Sequence, residues 1–397
     1  MTERDKSEYF ELLRFKSVGV NQENLKDCVD CAQWLKTKFA DLGFDAKLKV
    51  ASDVSGPPVV YAERIVDPCA TTVLVYGHYD VQPAEPLELW NTPPFEPTEI
   101  GSRVYCRGSQ DDKGQFFAFF CGMRKFLNEN PSSRINVKIF LEGQEESSGA
   151  VAKSLVEEMA GELKADVLLV SDTNAGHKLR PCMIAGLRGM DLFTVSLKAA
   201  NRDLHSGLYG ALAPNAAQGI AEIVSSLHNP DGSIAVDGFF DGMEKPSEKE
   251  LSLSAESVPS EETLSEIMGC PAEGGEKGKS VSMRNCFMPT IEVNGIHSGY
   301  GGPGSKTVIP CEAFAKISMR LVPGQSPVAA FEAVKRHLEK NVPRGMKMEI
   351  SEVAGFSPGF KMNLDSPIFR LAEDVLTEID ERGPIFLWDG ASIPFVE

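Results

Sequence analysis

No apolar run in this sequence is long enough to span a bilayer, which takes about 20 residues. The opening Met1-Thr-Glu-Arg-Asp-Lys-Ser7 is charged and has no apolar core, so neither a membrane span nor a secretory leader is expected. Basic residues are in deficit: 40 Lys and Arg stand against 57 Asp and Glu, a formal net charge of −17. That balance excludes a general nucleic-acid binder, which needs a basic face. The nine cysteines are scattered and odd in number, which argues against a disulfide framework; they read as reduced thiols in a cytoplasmic protein. Cys28-Val-Asp-Cys31 sits within the helical pattern Leu25, Cys28, Ala32, Leu35, Phe39 with no second pair nearby, so it reads as a packed helix face and not a redox or zinc motif. There is no internal repeat. Gly274-Gly-Glu-Lys-Gly-Lys-Ser280 is not a phosphate-binding loop, because Glu273 occupies the required first glycine and no strand precedes it. Ser206 beside His205 is followed by no acid in triad order, so a serine nucleophile is not expected. Histidine is scarce: six in all, none after His337.

What is present is a chain of 397 residues, 42% hydrophobic and 24% charged, long enough for two domains. Residues 4–16 and 25–42 pattern as amphipathic helices. Strands at 46–50, 57–63 and 71–77 follow, then a Pro-rich connection from Pro83 to Pro97. A short strand at Val104, a helix over 115–128, a strand over 135–141, a helix over 149–160 and a strand over 166–170 come next. Such alternation implies an α/β fold with a mixed, mostly parallel sheet covered by helices. After Gly186-Leu-Arg-Gly189 the character changes. Residues 190–199 alternate like an antiparallel strand, a helix is expected at 213–228, and 241–284 is polar and Gly/Ser/Pro-rich with a short helix at 261–268. Strand pattern resumes at 287–295 and 312–321, with helices at 326–341 and 366–379 and a strand at 346–353. The expected plan is a catalytic domain in two parts, 1–189 and 310–397, interrupted by an inserted α+β lid and dimerisation domain over 190–309.

Four strand ends in the first part carry acid or imidazole groups: His78 and Asp80, Asp111 and Asp112, Glu145 and Glu146, and Asp172. In a parallel sheet such ends share one edge, and carboxylates gathered there repel unless a cation neutralises them. One imidazole with several carboxylates suits zinc or a similar divalent ion. More carboxylates than one ion needs point to two ions sharing a bridging Asp, a hydrolytic arrangement. Of the adjacent pair Glu145 and Glu146, one can bind metal while the other takes a proton from metal-bound water. Asp80 is placed to orient His78 through its second nitrogen. Taken singly, each group has an ordinary reading, such as Asp112 capping the helix that follows.

Gly77-His-Tyr-Asp80-Val-Gln-Pro83, Arg107-Gly-Ser-Gln-Asp111-Asp112-Lys-Gly114, Glu145-Glu146 with Ser148-Gly149, and Ser171-Asp172 occur in this order. With these motifs the chain, from about residue 8 to its end, resembles the carnosinase-like dizinc metallopeptidases. These are of the cytosolic non-specific dipeptidase type, within the aminoacylase and glutamate carboxypeptidase superfamily. The resemblance implies a zinc aminopeptidase-like catalytic domain and two Zn2+ ions, with Mn2+ the alternative. It implies that His78 and Asp172 bind one ion, Glu146 the other, and Asp111 bridges both. Glu145 is then the general base and Asp80 supports His78. His205 resembles the lid histidine that reaches a neighbouring subunit's site in a homodimer. Thr307, Arg320 and Ser392 lie in segments resembling those that contact substrate, with Arg320 suited to a substrate carboxylate. The family carries a further metal-binding histidine beyond Gly390-Ala-Ser-Ile-Pro394, which this sequence lacks, so a chain cut short with a weaker second metal site is expected. The implied activity is hydrolysis of the amide bond of dipeptides or small peptides. The alternatives are an N-acyl-amino-acid deacylase using the same machinery, and a truncated or non-catalytic metal- or peptide-binding homologue.

Overall fold

The structure, a computed structural model, describes residues 1–147, 149–173 and 180–390. Two compact units divide the chain, Met1–Asn174 and Ala175–Glu397. In the first, the β-branched run Thr72–His78 is a strand flanked on both sides by parallel neighbours, Asn136–Glu142 and Val167–Val170. Asn136–Glu142 is buried along its whole length, as expected of a strand covered on both faces. Val59–Arg64 and then Asp45–Lys49 complete a five-stranded sheet through antiparallel pairing. The mixed α/β architecture read from the alternating pattern is therefore the one observed.

Helices Glu3–Arg14, Leu25–Asp41 and Lys113–Glu129 bury one face each in a common core with the sheet, around Leu13, Leu35, Phe39, Val75, Phe117 and Ile139. Cys28 and Cys31 are wholly buried in that core, which is the packed-face reading of the Cys-Val-Asp-Cys segment. Because three strands run in parallel, their carboxyl ends come out on one edge: His78 pairs with Glu142 at the same level, and Val170 lies beside Tyr76.

The second unit is built on a four-stranded antiparallel sheet in the order Thr290–Ser298, Glu312–Leu321, Gly189–Lys198, Lys347–Ser357. Helices Ala216–Ser225 and Pro327–Lys340 pack their apolar faces on it around Ile220, Ile223, Ile317, Val334 and Leu338. This sheet runs past the boundary that the sequence reading sets at 309/310. Glu312–Leu321 is hydrogen-bonded on both sides within it, so that strand and Lys347–Ser357 belong with the inserted strands. The alternation of a strand marks one buried face but carries no label for the sheet that receives it. A separate pairing joins the flanks of the insertion: Ile385–Asp389 runs parallel to Cys182–Leu187. Within 241–284 the expected helix is present as Glu261–Met268, and a second one, Glu248–Ser257, precedes it. Its apolar face is weak, but the capping box of Ser247 and Glu250 is a start signal legible in sequence. Among the described residues no helix is long and apolar enough to cross a membrane.

Candidate metal centre

His78 is the last residue of its strand and is 1% exposed. Its Nδ1 lies 3.1 Å from the Asp80 carbonyl oxygen and 3.3 Å from Asp80 Oδ1. Two acceptors there place the ring proton on Nδ1 and leave the Nε2 lone pair for an electrophile. Carboxylates gather around Nε2: Asp111 Oδ1 at 3.0 Å, Asp172 Oδ2 at 3.8 Å and Glu145 Oε2 at 4.0 Å. Residues from three strand ends and one helix start, far apart in sequence, thus meet as the strand-end argument requires.

Asp80 is fully buried and has a second task. Its Oδ1 accepts the backbone N–H of Glu145 and its Oδ2 that of Glu146, each at 3.2 Å. One carboxylate therefore holds both the imidazole and the turn that carries the two glutamates. Glu146 is steadied further by Gln82, whose Nε2 donates to Glu146 Oε2 at 2.7 Å.

Asp112 is the residue that the sequence reading left out of the site. It occupies the cap position of helix Lys113–Glu129 yet makes no capping bond. Instead its Oδ2 accepts the backbone N–H of His78 at 2.9 Å, and the chain bends so closely that a Cβ on Gly77 would stand 2.7 Å from that oxygen. Gly77 is thus required by a carboxylate 35 positions away in the chain, and the paired Asp-Asp was the only sequence signal of it. His78, Asp112 and Asp172 each bring one potential ligand atom within 4.8 Å of the other two.

The electrostatics point to a cation. Burial pushes the Glu145 carboxyl up to about 8, with Asp172 and Asp80 adding to the shift and His78 opposing it. Burial likewise raises Glu146, and it raises Asp112 well above the carboxylate range. His78 is raised well above its ordinary value: burial works against this, but the Asp111 and Asp80 contacts outweigh it. Asp111 is lowered, chiefly by its contact with His78. Buried like charges are stable only when neutralised. Asp112 Oδ1 is moreover buried with no hydrogen-bond partner among the described residues. An imidazole with carboxylate oxygens is a donor set that fits a divalent metal.

The remaining expected residues lie in the second unit. His205 and Thr307 come together, with Thr307 Oγ1 3.4 Å from His205 Nε2, where segment Leu204–His205 pairs with Val308–Ile309, the residues just after Thr307. Arg320 is half-buried on strand Glu312–Leu321. Ser392 falls outside the described residues.

Comparison with known proteins agrees with this geometry. The family model described as Peptidase family M20/M25/M40 matches residues 74–393. The chain is 29% identical over 346 residues to the Beta-Ala-His dipeptidase of Mus musculus, covering 86% of this chain and 70% of that one. It is 30% identical over 324 residues to a Cys-Gly metallodipeptidase of Schizosaccharomyces pombe, covering 79% and 68%. A solved M20 family metallo-carboxypeptidase from Sulfolobus solfataricus superposes with a TM-score of 0.86 at 30% identity, over 99% of this chain and 87% of that one. The homologues are metal-dependent peptidases, as the carboxylate and imidazole cluster demands, and the chain belongs to Peptidase family M20/M25/M40.

Proposed function

We propose that this chain hydrolyses the peptide bond of dipeptides, with His78, Asp111 and Asp172 holding one divalent ion and Asp111 with Glu146 a second. Zinc suits the site best, with manganese also compatible with its oxygen-rich ligands. When bound, the ions supply Lewis-acid polarisation of the scissile carbonyl and acidification of water. Glu145 is the general base: its carboxyl is buried beside the cluster, its Oε2 lies 4.0 Å from His78 Nε2, and burial holds its proton affinity near the working range. It takes the proton of the attacking water and returns it to the leaving amine. Asp80 keeps the imidazole and the two glutamates in register. The observation that carries this reading is that one buried carboxylate, Asp80, organises both His78 and the Glu145–Glu146 turn.

The activities named for the relatives, Beta-Ala-His and Cys-Gly dipeptide hydrolysis, support this substrate class. His205 contributes the oxyanion contact from a neighbouring subunit, Thr307 contacts substrate, and Arg320 takes a substrate carboxylate. The scattered and odd-numbered cysteines support a cytoplasmic setting. The test is zinc analysis together with a panel of Xaa-Gly and β-Ala-His dipeptides against acetyl-amino acids. Dipeptide turnover that disappears on chelation and returns with zinc is expected. Activity unchanged in metal-free protein, or turnover of acetyl-amino acids alone, overturns the reading. Full activity from a monomer on sizing would rule out the shared role of His205.

A further inference from the structure

Asp80 can keep His78 and the glutamate turn in register only if its own backbone is fixed. Residues 15–19, which follow helix Glu3–Arg14, fix it from both sides. Ser17 is fully buried. Its Oγ donates to the carbonyl of Tyr79 at 2.7 Å, and its own carbonyl accepts the backbone N–H of Val81 at 2.9 Å. Both chain neighbours of Asp80 are therefore bonded to one serine. Gly19 closes the same space: a Cβ there would stand 2.6 Å from the Gly143 carbonyl oxygen and 2.7 Å from Asp80 Oδ2. Gly143 leads into the turn that carries Glu145 and Glu146. Helix Glu3–Arg14 and the residues after it are anchored in their turn to the loop that carries Asp111 and Asp112. Lys113, also fully buried, donates from Nζ to the Phe15 carbonyl at 2.7 Å, and Tyr9 Oη donates to the Ser109 carbonyl at 2.5 Å.

A buried hydroxyl bonded to a backbone carbonyl satisfies that carbonyl and fixes the orientation of its peptide. Without it the Tyr79–Asp80 peptide is free to turn, and the Asp80 carboxylate swings off the imidazole. Metal ligands depend on such outer partners for their geometry. We propose that Ser17 is a positioning residue of the metal centre: bonded to Tyr79 and Val81, it holds the Asp80 carboxylate against His78 and against the backbone of Glu145 and Glu146. The role in metal binding rests on the metal-centre reading above; the bracing of Asp80 rests on the hydrogen bonds of residues 15–19. The Cys31 thiol is a second partner of the Ser17 hydroxyl, so the test separates its contribution.

The experiment compares Ser17→Thr with Ser17→Val, two side chains of one shape that differ in the hydroxyl. Zinc affinity is titrated against a competing chelator at a temperature where every variant is folded, and kcat and KM are measured on a dipeptide at saturating zinc. Ser17→Val is expected to bind zinc about 3- to 10-fold more weakly than Ser17→Thr, the effect of losing one neutral hydrogen bond. Its kcat should fall by about the same factor while KM stays within about twofold, because the loss is of geometry at the reacting centre. Gly19→Ala presses on Asp80 Oδ2 without touching the hydroxyl; it should lower zinc affinity in the same way, and it carries the test if the Ser17 variants do not fold. Cys31→Ala should bind zinc as the parent does. Equal affinities in the Thr and Val variants, a loss in Cys31→Ala as large as that in Ser17→Val, or a fall in thermal midpoint alone overturns the positioning role. If the parent binds zinc but cleaves no dipeptide, the functional reading fails and the zinc titrations still decide the role of Ser17; a parent that binds no zinc overturns both.

Discussion

Asp80 stands between the imidazole and the glutamate turn, and its two oxygens are both engaged. An asparagine there offers one acceptor and turns an N–H2 towards a backbone N–H of Glu145 or Glu146, so Asp80→Asn sets donor against donor. Zinc affinity is expected to fall about 10- to 100-fold, the usual effect of losing an outer-shell partner, as measured by titration against a competing chelator. Unchanged affinity would count against the positioning role. Glu145 behaves differently, because nothing else in the cluster hangs on it. Glu145→Gln should lower kcat by roughly 100- to 10,000-fold with zinc content by elemental analysis as in the parent; loss of zinc would make it a ligand and not a base. At this scale the sequence was informative about chemical type. His78, Asp111, Glu145 and Asp172 were legible as acids and an imidazole at strand ends. Asp112 was legible as an acid in the same place but not as a partner of His78, because a residue at a helix start reads as a cap until the space around it shows the His78 N–H as its partner.

Among the secondary-structure elements, the first helix is tied to the helix that follows Asp112 by charge as well as by packing. Arg124 donates to Glu8 at 2.6 Å and also to Asp5, while Lys38 reaches Glu8 at 3.1 Å. Burial raises both carboxyls, but hydrogen bonds from Thr2 and Arg124 to Asp5, and from Arg124 and Lys38 to Glu8, outweigh it and hold them below their ordinary values. A carboxyl depressed in the folded state stabilises it above the unfolded pKa, near 4, and loses that contribution as pH falls through the folded value. The parent should therefore lose stability progressively below about pH 4. Arg124→Met should be less stable at pH 7 by about 1–3 kcal/mol and lose less of its remaining stability in acid, as read by urea unfolding at several pH values. Parallel stability profiles for the two proteins would show that the ion pairs contribute nothing. The elements themselves were largely visible in sequence, since period and cap residues are local signals. Strand Glu312–Leu321 was found but grouped with the second catalytic part, without the sheet that receives it, and helix Glu248–Ser257 was passed over because its polar face hides its period.

For the molecule as a whole, the carboxylate cluster makes stability depend on metal. In chelated protein, Glu145, Glu146 and Asp112 have raised pKa values, and so has His78. Groups raised in the folded state favour folding at low pH and lose that contribution as pH rises through the folded value, which for Glu145 is about 8; Asp111, lowered, works weakly the other way. The midpoint of thermal unfolding of the metal-free chain should therefore fall as pH rises from 6 to 9, and added zinc should both raise the midpoint and flatten the dependence. A metal-free chain whose midpoint is level across that range would deny that the cluster is electrostatically strained. By itself, the sequence determined the α/β class, the order of the chemical groups and their places at strand ends, because period, turn residues and residue type are properties of neighbours along the chain. Only the tertiary structure decided that Asp80 serves two partners, that Asp112 faces His78, and that Glu312–Leu321 joins the second sheet. Each of these is a contact between residues distant in sequence, set by how buried faces pack and by which polar atoms must find partners once water is excluded.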